Sequence, residues 1–135
     1  MVIYFITGNK DKFSEAKSIL EDLEQLNVDL PEIQEIDAKK IIQHKLLTAL
    51  NNYPDKEFIV EDTSLYINSL NGLPGPLIKW FLKSIGDHGV SKLVSEENEA
   101  EGRTLIGYAK NKDEIYFFEG SIKGKIVNPR GEKES

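Results

Sequence analysis

The stretch from residue 60 to 81, VEDTSLYINSLNGLPGPLIKWF, constrains the fold of this chain more than any other. The residues at 58–60 form an apolar, partly β-branched run, which predicts a buried strand that delivers Glu61 and Asp62 at or just past its carboxyl end. The Asn-Gly pair at 71–72 predicts a tight turn, and the Pro-Gly-Pro of 74–76 predicts the start of a helix over about 77–85. The carboxyl ends of strands are where α/β sheets bind ligands, so two acids are expected at such an edge.

Glu61 and Asp62 allow two interpretations. Adjacent acids can simply form part of a solvated loop. Alternatively, adjacent residues at a strand end point in different directions, so that one can point into a binding site and the other into the wall behind it. Proteins hold Mg²⁺ with one or two carboxylates together with the phosphate oxygens of a substrate. The spacing of the two acids is compatible with a solvated loop and with a Mg²⁺ site.

Composition limits the class of protein. A chain of 135 residues with 39% hydrophobic content is enough for one domain, residues 1–135, with a real core. Its net charge of −6 argues against a general nucleic-acid or membrane-surface binder, because polyanions need a positive footprint. The absence of cysteine excludes disulfides and thiolate zinc sites. No signal-like segment and no apolar run of about 20 residues is found, so we expect a cytoplasmic protein.

The first 23 residues predict a strand, a turn and a helix. The strand is expected over 2–6, the turn contains Thr7, Asn9 and Lys10, and an apolar helix face is predicted from Phe13, Ala16, Ile19, Leu20 and Leu23. The amino end of a helix suits a phosphate, and Lys10 and Lys12 would add positive charge there. Two lysines in a first turn oppose the helix dipole, which is a mild hint of function. A purely structural connection between strand and helix remains the alternative interpretation.

A short strand is expected next over residues 28–30, followed by a helix over about 37–50 that Asp37 caps. One apolar stripe should bury this helix, and it consists of Ala38, Ile41, Ile42, Leu46, Ala49 and Leu50. Lys45 lies beside the stripe and either extends to solvent or points toward a cleft. His44 is interpreted as a surface histidine.

The remaining chain is expected to add a second short helix and a hairpin. Asp87 can cap a helix that runs to residue 93, and residues 95–102 are interpreted as an acidic surface loop. Segments 103–109 and 114–120 flank Asn-Lys-Asp and predict a β-hairpin, with 123–127 continuing or adding a strand. A turn over 128–131 and a frayed end over 132–135 complete the chain. The order of elements predicts an α/β fold.

Five segments together resemble the inosine triphosphate pyrophosphatase family. They are TGNKDKFSEA (7–16), LPEIQ (30–34), VEDTSL (60–65), NGLPGPLIKWF (71–81) and GSIKGKIVNPRG (120–131), in the family's order over essentially the whole chain. The resemblance implies a mixed, elongated β-sheet flanked by helices, with two lobes around a central cleft. It also implies Mg²⁺-dependent hydrolysis of ITP, XTP and dITP to the monophosphate and pyrophosphate, usually by a cytoplasmic homodimer.

The resemblance also implies roles for individual residues. Residues matching the family's triphosphate-binding positions are Thr7, Asn9, Lys10, Lys12, Lys45 and Lys79. Glu32 matches a metal-site acid, and Glu61 and Asp62 match the pair that holds the metal and activates water. The implied reaction is attack of a metal-activated water on the α-phosphorus, with Asp62 as metal ligand or as base. These three acids are therefore expected to converge on one Mg²⁺.

The sequence departs from the family pattern after residue 131. The family continues there through a Phe-Gly-Trp/Tyr-Asp segment and a Ser-His-Arg motif that read the purine, whereas this sequence ends at Ser135. The expectation is therefore either a shortened enzyme or a catalytically weak or inactive nucleotide-binding relative. Apolar side chains at Ile106, Tyr108, Phe117 and Phe118 cannot all face one covered side of a sheet, which predicts exposed apolar surface and a homodimer or a higher oligomer.

Overall fold

A computed structural model describes residues 2–94 and 96–128. Within these residues, six strands form one mixed sheet in the order β2-β1-β3-β5-β6, with β4 paired to β3, and three α-helices accompany them. The strands are β1 (Ile3–Ile6), β2 (Leu23–Leu26), β3 (Glu57–Ile67), β4 (Pro74–Gly75), β5 (Glu99–Asn111) and β6 (Glu114–Lys125). The helices are α1 (Lys10–Lys17), α2 (Ala38–Asn52) and α3 (Ile78–Lys92). The α/β class with a mixed sheet is confirmed.

The first strand, turn and helix form a parallel crossover. β1 pairs in parallel with β2, where Ile3 faces Leu23, and with β3, where Ile3 faces Glu57. The predicted helix face was too long, because α1 ends at Lys17 and leaves Ile19 81% exposed. Leu23, which the helical period placed on that face, instead begins β2. The strand predicted over residues 28–30 was wrong, because the pairing beside β1 is made by Leu23–Leu26.

Helix α2 follows its predicted apolar period. All members of the stripe are buried, and they are Ala38, Ile41, Ile42, Leu46, Ala49 and Leu50. The neighbouring strand comes close to this helix at Gly107 of β5. A Cβ atom at that position would stand 2.3 Å from Ile42 Cγ2 and 2.9 Å from Leu46 Cδ1. The core therefore requires glycine there for reasons of space.

Strand β3 is longer than the sequence predicted. It continues from Glu57 to Ile67, so Glu61 and Asp62 lie in its middle, and the predicted strand end at this point was wrong. The alternation of buried and accessible positions runs through the acids, since Val60, Asp62 and Ser64 are all buried. Asp62 and Ser64 thus occupy core positions of β3, although their polarity had suggested that the strand ends before them.

The chain after β3 turns as expected and then forms two helical segments. Asn71 and Gly72 adopt positive φ angles of 55° and 93° in the turn. The predicted division into two helices is confirmed, because Gly86, with φ 68° and ψ 179°, breaks α3 into two parts. Buried residues of this region form one apolar cluster, which consists of Ile67, Ile78, Val90 and Ala100.

The predicted hairpin is confirmed in β5 and β6, which Lys112 and Asp113 connect. Its strands are longer than expected, and β5 begins at Glu99, so the acidic loop predicted over 95–102 was wrong at its second half. Residue 95 and the predicted turn and tail beyond residue 128 lie outside the described residues. Phe118 is exposed, while Ile106, Tyr108 and Phe117 are half-buried, which agrees with the predicted apolar surface.

The fold contains two compact units. The first comprises residues 1–33, 39–61 and 105–118, and the second comprises 34–38, 62–104 and 119–135. Each unit holds its own buried apolar residues, such as Phe58 in the first and Ile67 in the second. No helix in the described part of the chain is long and apolar enough to cross a membrane.

Candidate functional site

The turn between β1 and α1 is held by its own polar side chains. Asn9 is the N-cap of α1, and its Oδ1 accepts hydrogen bonds from the backbone N–H groups of Asp11 and Lys12 at 3.0 and 3.1 Å. The Asn9 N–H in turn donates to Thr7 Oγ1 at 3.1 Å. Two amides of the first helical turn are therefore bonded within the turn. The Lys12 group that could contact a phosphate is therefore the side-chain ammonium and not the backbone amide. Lys10 adds a second, exposed ammonium group.

Lys12 and Glu61 form an ion pair in the first unit. Lys12 Nζ donates to Glu61 Oε1 at 2.7 Å, and the two side chains are 46% and 21% exposed. Helix α1 presents the lysine and the middle of β3 presents the acid. A residue predicted to bind phosphate is thus in direct contact with a residue predicted to bind metal or activate water.

Glu32 and Lys45 form a second pair of the same kind. Lys45 Nζ lies 2.9 Å from Glu32 Oε2, with side-chain exposures of 19% and 24%. Lys45 therefore does not extend to solvent, because its ammonium group is held against the protein by Glu32, which lies in the irregular segment after β2. Both acid–lysine pairs belong to the first unit. In each pair the carboxylate was a predicted metal ligand and the lysine a predicted phosphate ligand.

Asp62 differs from the two glutamates because it is buried. Only 8% of this residue is exposed, and Ser64 Oγ donates to its Oδ2 at 2.8 Å. Asp62 and Ser64 are two positions apart on β3 and therefore share one face of the strand, whereas Glu61 points to the other face. A buried carboxylate needs hydrogen bonds to remain charged, and the serine supplies one of them.

The donor chemistry of Glu32, Glu61 and Asp62 fits Mg²⁺, which prefers carboxylate oxygens. Within residues 2–94 and 96–128, however, no three side chains of His, Asp or Glu gather closely enough to hold a metal ion. The glutamates are instead paired with lysines. Convergence of the three acids on one ion stays a prediction.

Lys79 lies on the first turn of α3 in the second unit. Its Nζ stands 5.0 Å from the centre of the Trp80 ring, and Lys83 Nζ stands 5.3 Å from the same ring. Trp80 is 47% exposed, so the indole and the two ammonium groups form a cationic, aromatic patch. The predicted contact of Lys79 with a triphosphate stays a prediction.

Sequence reasoning missed a partly buried contact and a cavity in the first unit. The hydroxyl of Tyr108 donates a short hydrogen bond to Glu57 Oε1, and burial, together with this bond, raises the pKa of Tyr108 to about 12. Tyr108 also lines an apolar cavity of about 540 Å³, and Lys12 and Glu61 are among the other lining residues. The sequence placed Tyr108 among the apolar side chains that could not all be covered, but nothing in it indicated Glu57 as the partner of Tyr108.

Comparison with known proteins finds relatives over nearly the whole chain. The Ham1 family matches residues 3–135. The inosine triphosphate pyrophosphatase of Schizosaccharomyces pombe is 40% identical over 135 residues, which covers 96% of this chain and 71% of that protein. The inosine triphosphate pyrophosphatase of Saccharomyces cerevisiae is 39% identical over 144 residues, covering 96% of this chain and 72% of that protein.

Solved structures share the fold at lower sequence identity. The Ham1 protein of Staphylococcus aureus has a TM-score of 0.73 and 18% identity, covering 100% of this chain and 77% of that chain. A HAM1 protein from Coxiella burnetii has a TM-score of 0.69 and 22% identity, covering 98% and 77%. The resemblance seen in the motifs is confirmed over nearly the whole sequence, and the chain belongs to the Ham1 family.

Proposed function

We propose that this protein hydrolyses inosine triphosphate and related non-canonical purine triphosphates to the monophosphate and pyrophosphate. The structural observation that supports this proposal most is the contact between Lys12 and Glu61. It joins the turn where a phosphate is expected to the strand that carries the acids. The named activity of relatives that are 40% and 39% identical over 96% of this chain supports the same reaction.

The residues of the first unit are suited to hold a triphosphate. Lys10 and Lys12 at the start of α1 and Lys45 on α2 provide ammonium groups, while Thr7 and Asn9 shape the turn. Lys79 is proposed to add a further ammonium group from α3. Positioned positive charge is the main requirement of phosphoryl transfer, because charge spreads over the phosphate oxygens in the transition state.

Asp62 is proposed as the base. A water oxygen attacks the α-phosphorus, its proton passes to Asp62, and the bond from the α-phosphorus to the bridging oxygen breaks to release pyrophosphate. The hydrogen bond from Ser64 at 2.8 Å fixes the orientation of the carboxylate. Glu32, Glu61 and Asp62 are the residues that would hold Mg²⁺, which when bound supplies positive charge to the phosphates.

A nucleotide-binding relative with weak or no turnover is the second candidate. The pair between Glu32 and Lys45 favours it, because this predicted metal-site glutamate already has a cationic partner. Such a protein would bind a triphosphate through its lysines without cleaving it. Measured binding of inosine triphosphate without pyrophosphate release would support this alternative.

The test is a comparison of the unaltered chain with Asp62→Asn. Inosine triphosphate and Mg²⁺ are supplied, and pyrophosphate is measured against time, with ATP and GTP as competing substrates. The proposal predicts that pyrophosphate is released faster from inosine triphosphate than from ATP or GTP, and that chelation of the metal stops this release. Asp62→Asn should lower the rate at least a hundredfold, as expected for the loss of a general base. Equal rates for the two proteins would contradict the role of Asp62.

Four further expectations belong to the same proposal. The protein acts in the cytoplasm, as a homodimer, and residues 1–135 fold as one domain that contains both compact units. Its substrate is a small nucleotide and not a nucleic acid or a membrane. The net charge of −6 supports the last point, because it opposes binding to an extended polyanion.

A further inference from the structure

The contact between Glu32 and Lys45 joins a predicted metal ligand to a predicted phosphate ligand. Lys45 Nζ lies 2.9 Å from Glu32 Oε2, which is within the range of about 2.7–2.9 Å for a charge-assisted hydrogen bond. The Lys45 and Glu32 side chains are 19% and 24% exposed, so water screens their attraction less than it would on an open surface. A divalent cation at the same carboxylate would stand close to the ammonium group and be repelled by it. The contact therefore opposes metal binding at Glu32.

The same contact also opposes the binding of a triphosphate. If the Lys45 ammonium group moves to a phosphate oxygen, the Glu32 carboxylate loses this partner and comes to stand beside a second anion. Separation of a partly buried ion pair is costly, because the charge that stays behind is only partly hydrated. Each of the two ligands, taken alone, therefore has to break the contact and leave one of the two charged groups without its present partner.

The two ligands together remove this conflict, because their charges match those of the two partners. The carboxylate of Glu32 can turn to a divalent cation while the ammonium group of Lys45 turns to the phosphates. The contact is then broken once for both ligands, so the ligand that binds first removes an obstacle for the second. Linkage requires that each ligand strengthen the binding of the other by the same factor.

The fold allows the acid to move more readily than the lysine. Lys45 belongs to α2, which is fixed in the core by Ile42 and Leu46, both fully buried. Glu32 lies between β2 and α2, in residues that form neither a helix nor a strand. A shift of Glu32 can therefore break the contact while the packing of α2 stays intact.

The contact between Lys12 and Glu61 combines the same residue types but is more open to solvent. The Lys12 side chain is 46% exposed, compared with 19% for Lys45. An exposed ammonium group is hydrated readily when it loses its partner, so separation of this pair opposes ligand binding less. The Lys12–Glu61 pair therefore provides an internal comparison for the Glu32–Lys45 pair.

We propose that the Glu32–Lys45 contact is autoinhibitory: it disfavours the binding of Mg²⁺ alone and of a triphosphate alone, and it is broken when both bind. This inference rests on the proposed function, from which the two ligands are taken. It adds a coupling that comes from the protein to the direct attraction between Mg²⁺ and phosphate. Breaking the contact should raise the affinity for either ligand alone by about tenfold, which is within the usual range of coupling between sites.

Glu32→Asp tests the contact without a change of charge. The shorter side chain withdraws the carboxylate from Lys45 Nζ by about 1.5 Å, the length of one carbon–carbon bond. Titration calorimetry uses the α,β-methylene analogue of inosine triphosphate in the presence of a metal chelator. The analogue should bind about tenfold more tightly to Glu32→Asp than to the unaltered chain.

Two matched variants accompany this measurement. Glu35→Asp shortens an acid in the same segment between β2 and α2, and Glu61→Asp shortens the acid of the more exposed pair. Each should change the affinity for the metal-free analogue by no more than about twofold. A general effect of charge cannot separate the three variants, because all of them keep the negative charge.

The converse test uses Mg²⁺ alone. Lys45→Met removes the ammonium group that opposes a cation at Glu32, while Lys40→Met removes the same charge from an exposed position of the same helix. Mg²⁺, titrated without nucleotide and followed by nuclear magnetic resonance, should bind about tenfold more tightly to Lys45→Met than to Lys40→Met.

Two results would overturn the proposal. The first is an equal affinity of Glu32→Asp and the unaltered chain for the metal-free analogue. The second is an equal affinity of Lys45→Met and Lys40→Met for Mg²⁺. A chain that binds the analogue but releases no pyrophosphate from inosine triphosphate would contradict the proposed hydrolysis alone, and the affinity differences would still decide the role of the contact. Absence of analogue binding by every variant, with and without Mg²⁺, would contradict both proposals.

Discussion

Lys12 Nζ on α1 donates to Glu61 Oε1 on β3 across 2.7 Å, although the two residues stand 49 positions apart in the sequence. Lysines in the first turn of a helix oppose the helix dipole, so a cation at this position is locally unfavourable. The Glu61 carboxylate offsets that cost. The contact therefore explains how α1 tolerates Lys12, and it joins two of the residues proposed to act on a triphosphate.

Replacing Lys12 with methionine should weaken the binding of inosine triphosphate. The change removes the ammonium group while it keeps most of the apolar stem, and a charge-assisted hydrogen bond contributes about 1.5–3 kcal/mol. We expect the dissociation constant of a non-hydrolysable analogue to rise by about 10- to 100-fold in calorimetry. Folding stability should change little, because Lys12 is 46% exposed.

The matched control is Lys112→Met, which removes one positive charge from the exposed hairpin turn. The same comparison applies to Lys10→Ala and Lys79→Ala, each with its own thermal melt. If Lys12→Met and Lys112→Met reduce affinity equally, the effect belongs to overall charge and not to a contact with phosphate.

Ser64→Ala should slow turnover more than it weakens binding. Ser64 orients Asp62 through a buried hydrogen bond of 2.8 Å, and its loss leaves the carboxylate less well positioned. We expect a lower kcat with a nearly unchanged KM, and a stability cost of about 1 kcal/mol. Ser91→Ala is the control, since Ser91 donates to the His88 carbonyl on the surface. A change confined to KM would contradict a positioning role.

Gly107→Ala should destabilise the first unit. The added Cβ would come within 2.3 Å of Ile42 Cγ2, and Ile42 is fully buried and β-branched, so it cannot easily rotate away. Overpacking of this kind costs about 1–3 kcal/mol, which urea denaturation measures. Gly102→Ala on the same strand, where a Cβ would meet no atom within 4 Å, should change stability by less than about 0.5 kcal/mol. Equal effects would show that the cost does not come from the close contact with Ile42.

Tyr108 should make the protein lose stability at high pH. Its pKa is raised from 10.0 to about 12 in the folded protein, because burial and the bond to Glu57 disfavour the phenolate. Between these two values the unfolded chain releases the proton while the folded chain keeps it, so this stabilisation is complete below pH 10 and is lost as the pH approaches about 12.

Tyr108→Phe provides the measurement for this pH dependence. The urea midpoint of the unaltered chain should fall more steeply from pH 10 toward pH 12 than that of the phenylalanine variant. In ultraviolet titration, the tyrosine that ionises last should be missing from the variant. Identical pH profiles would show that Tyr108 ionises like an exposed tyrosine.

Local patterns predicted the parts of the fold that depend on local chemistry. The stripe of α2 follows the helical period because every member packs inward, and the break at Gly86 follows from a glycine between two helix signals. The end of α1 and the place of β2 were not predictable in this way. Leu23 has the spacing of a helix face, but the register beside Ile3 makes it the first residue of a strand.

The candidate site was predictable by residue type but not by partner. The motif resemblance singled out Lys12, Glu61, Glu32 and Lys45, whereas the two ion pairs that join them depend on the tertiary fold. Strand β3 also extends past the acids, because Asp62 is accommodated in the core by Ser64 and not by solvent. Polarity alone cannot distinguish a buried carboxylate with a partner from an exposed one.

Hydrolysis of inosine triphosphate in water labelled with ¹⁸O tests the proposed reaction most directly. Attack on the α-phosphorus predicts one ¹⁸O in inosine monophosphate and none in the released pyrophosphate, as measured by mass spectrometry of both products. Asp62→Asn should form little of either product. Label in orthophosphate with inosine diphosphate as the other product would contradict attack at the α-phosphorus, and turnover no faster than that of Asp62→Asn would contradict the proposed catalysis.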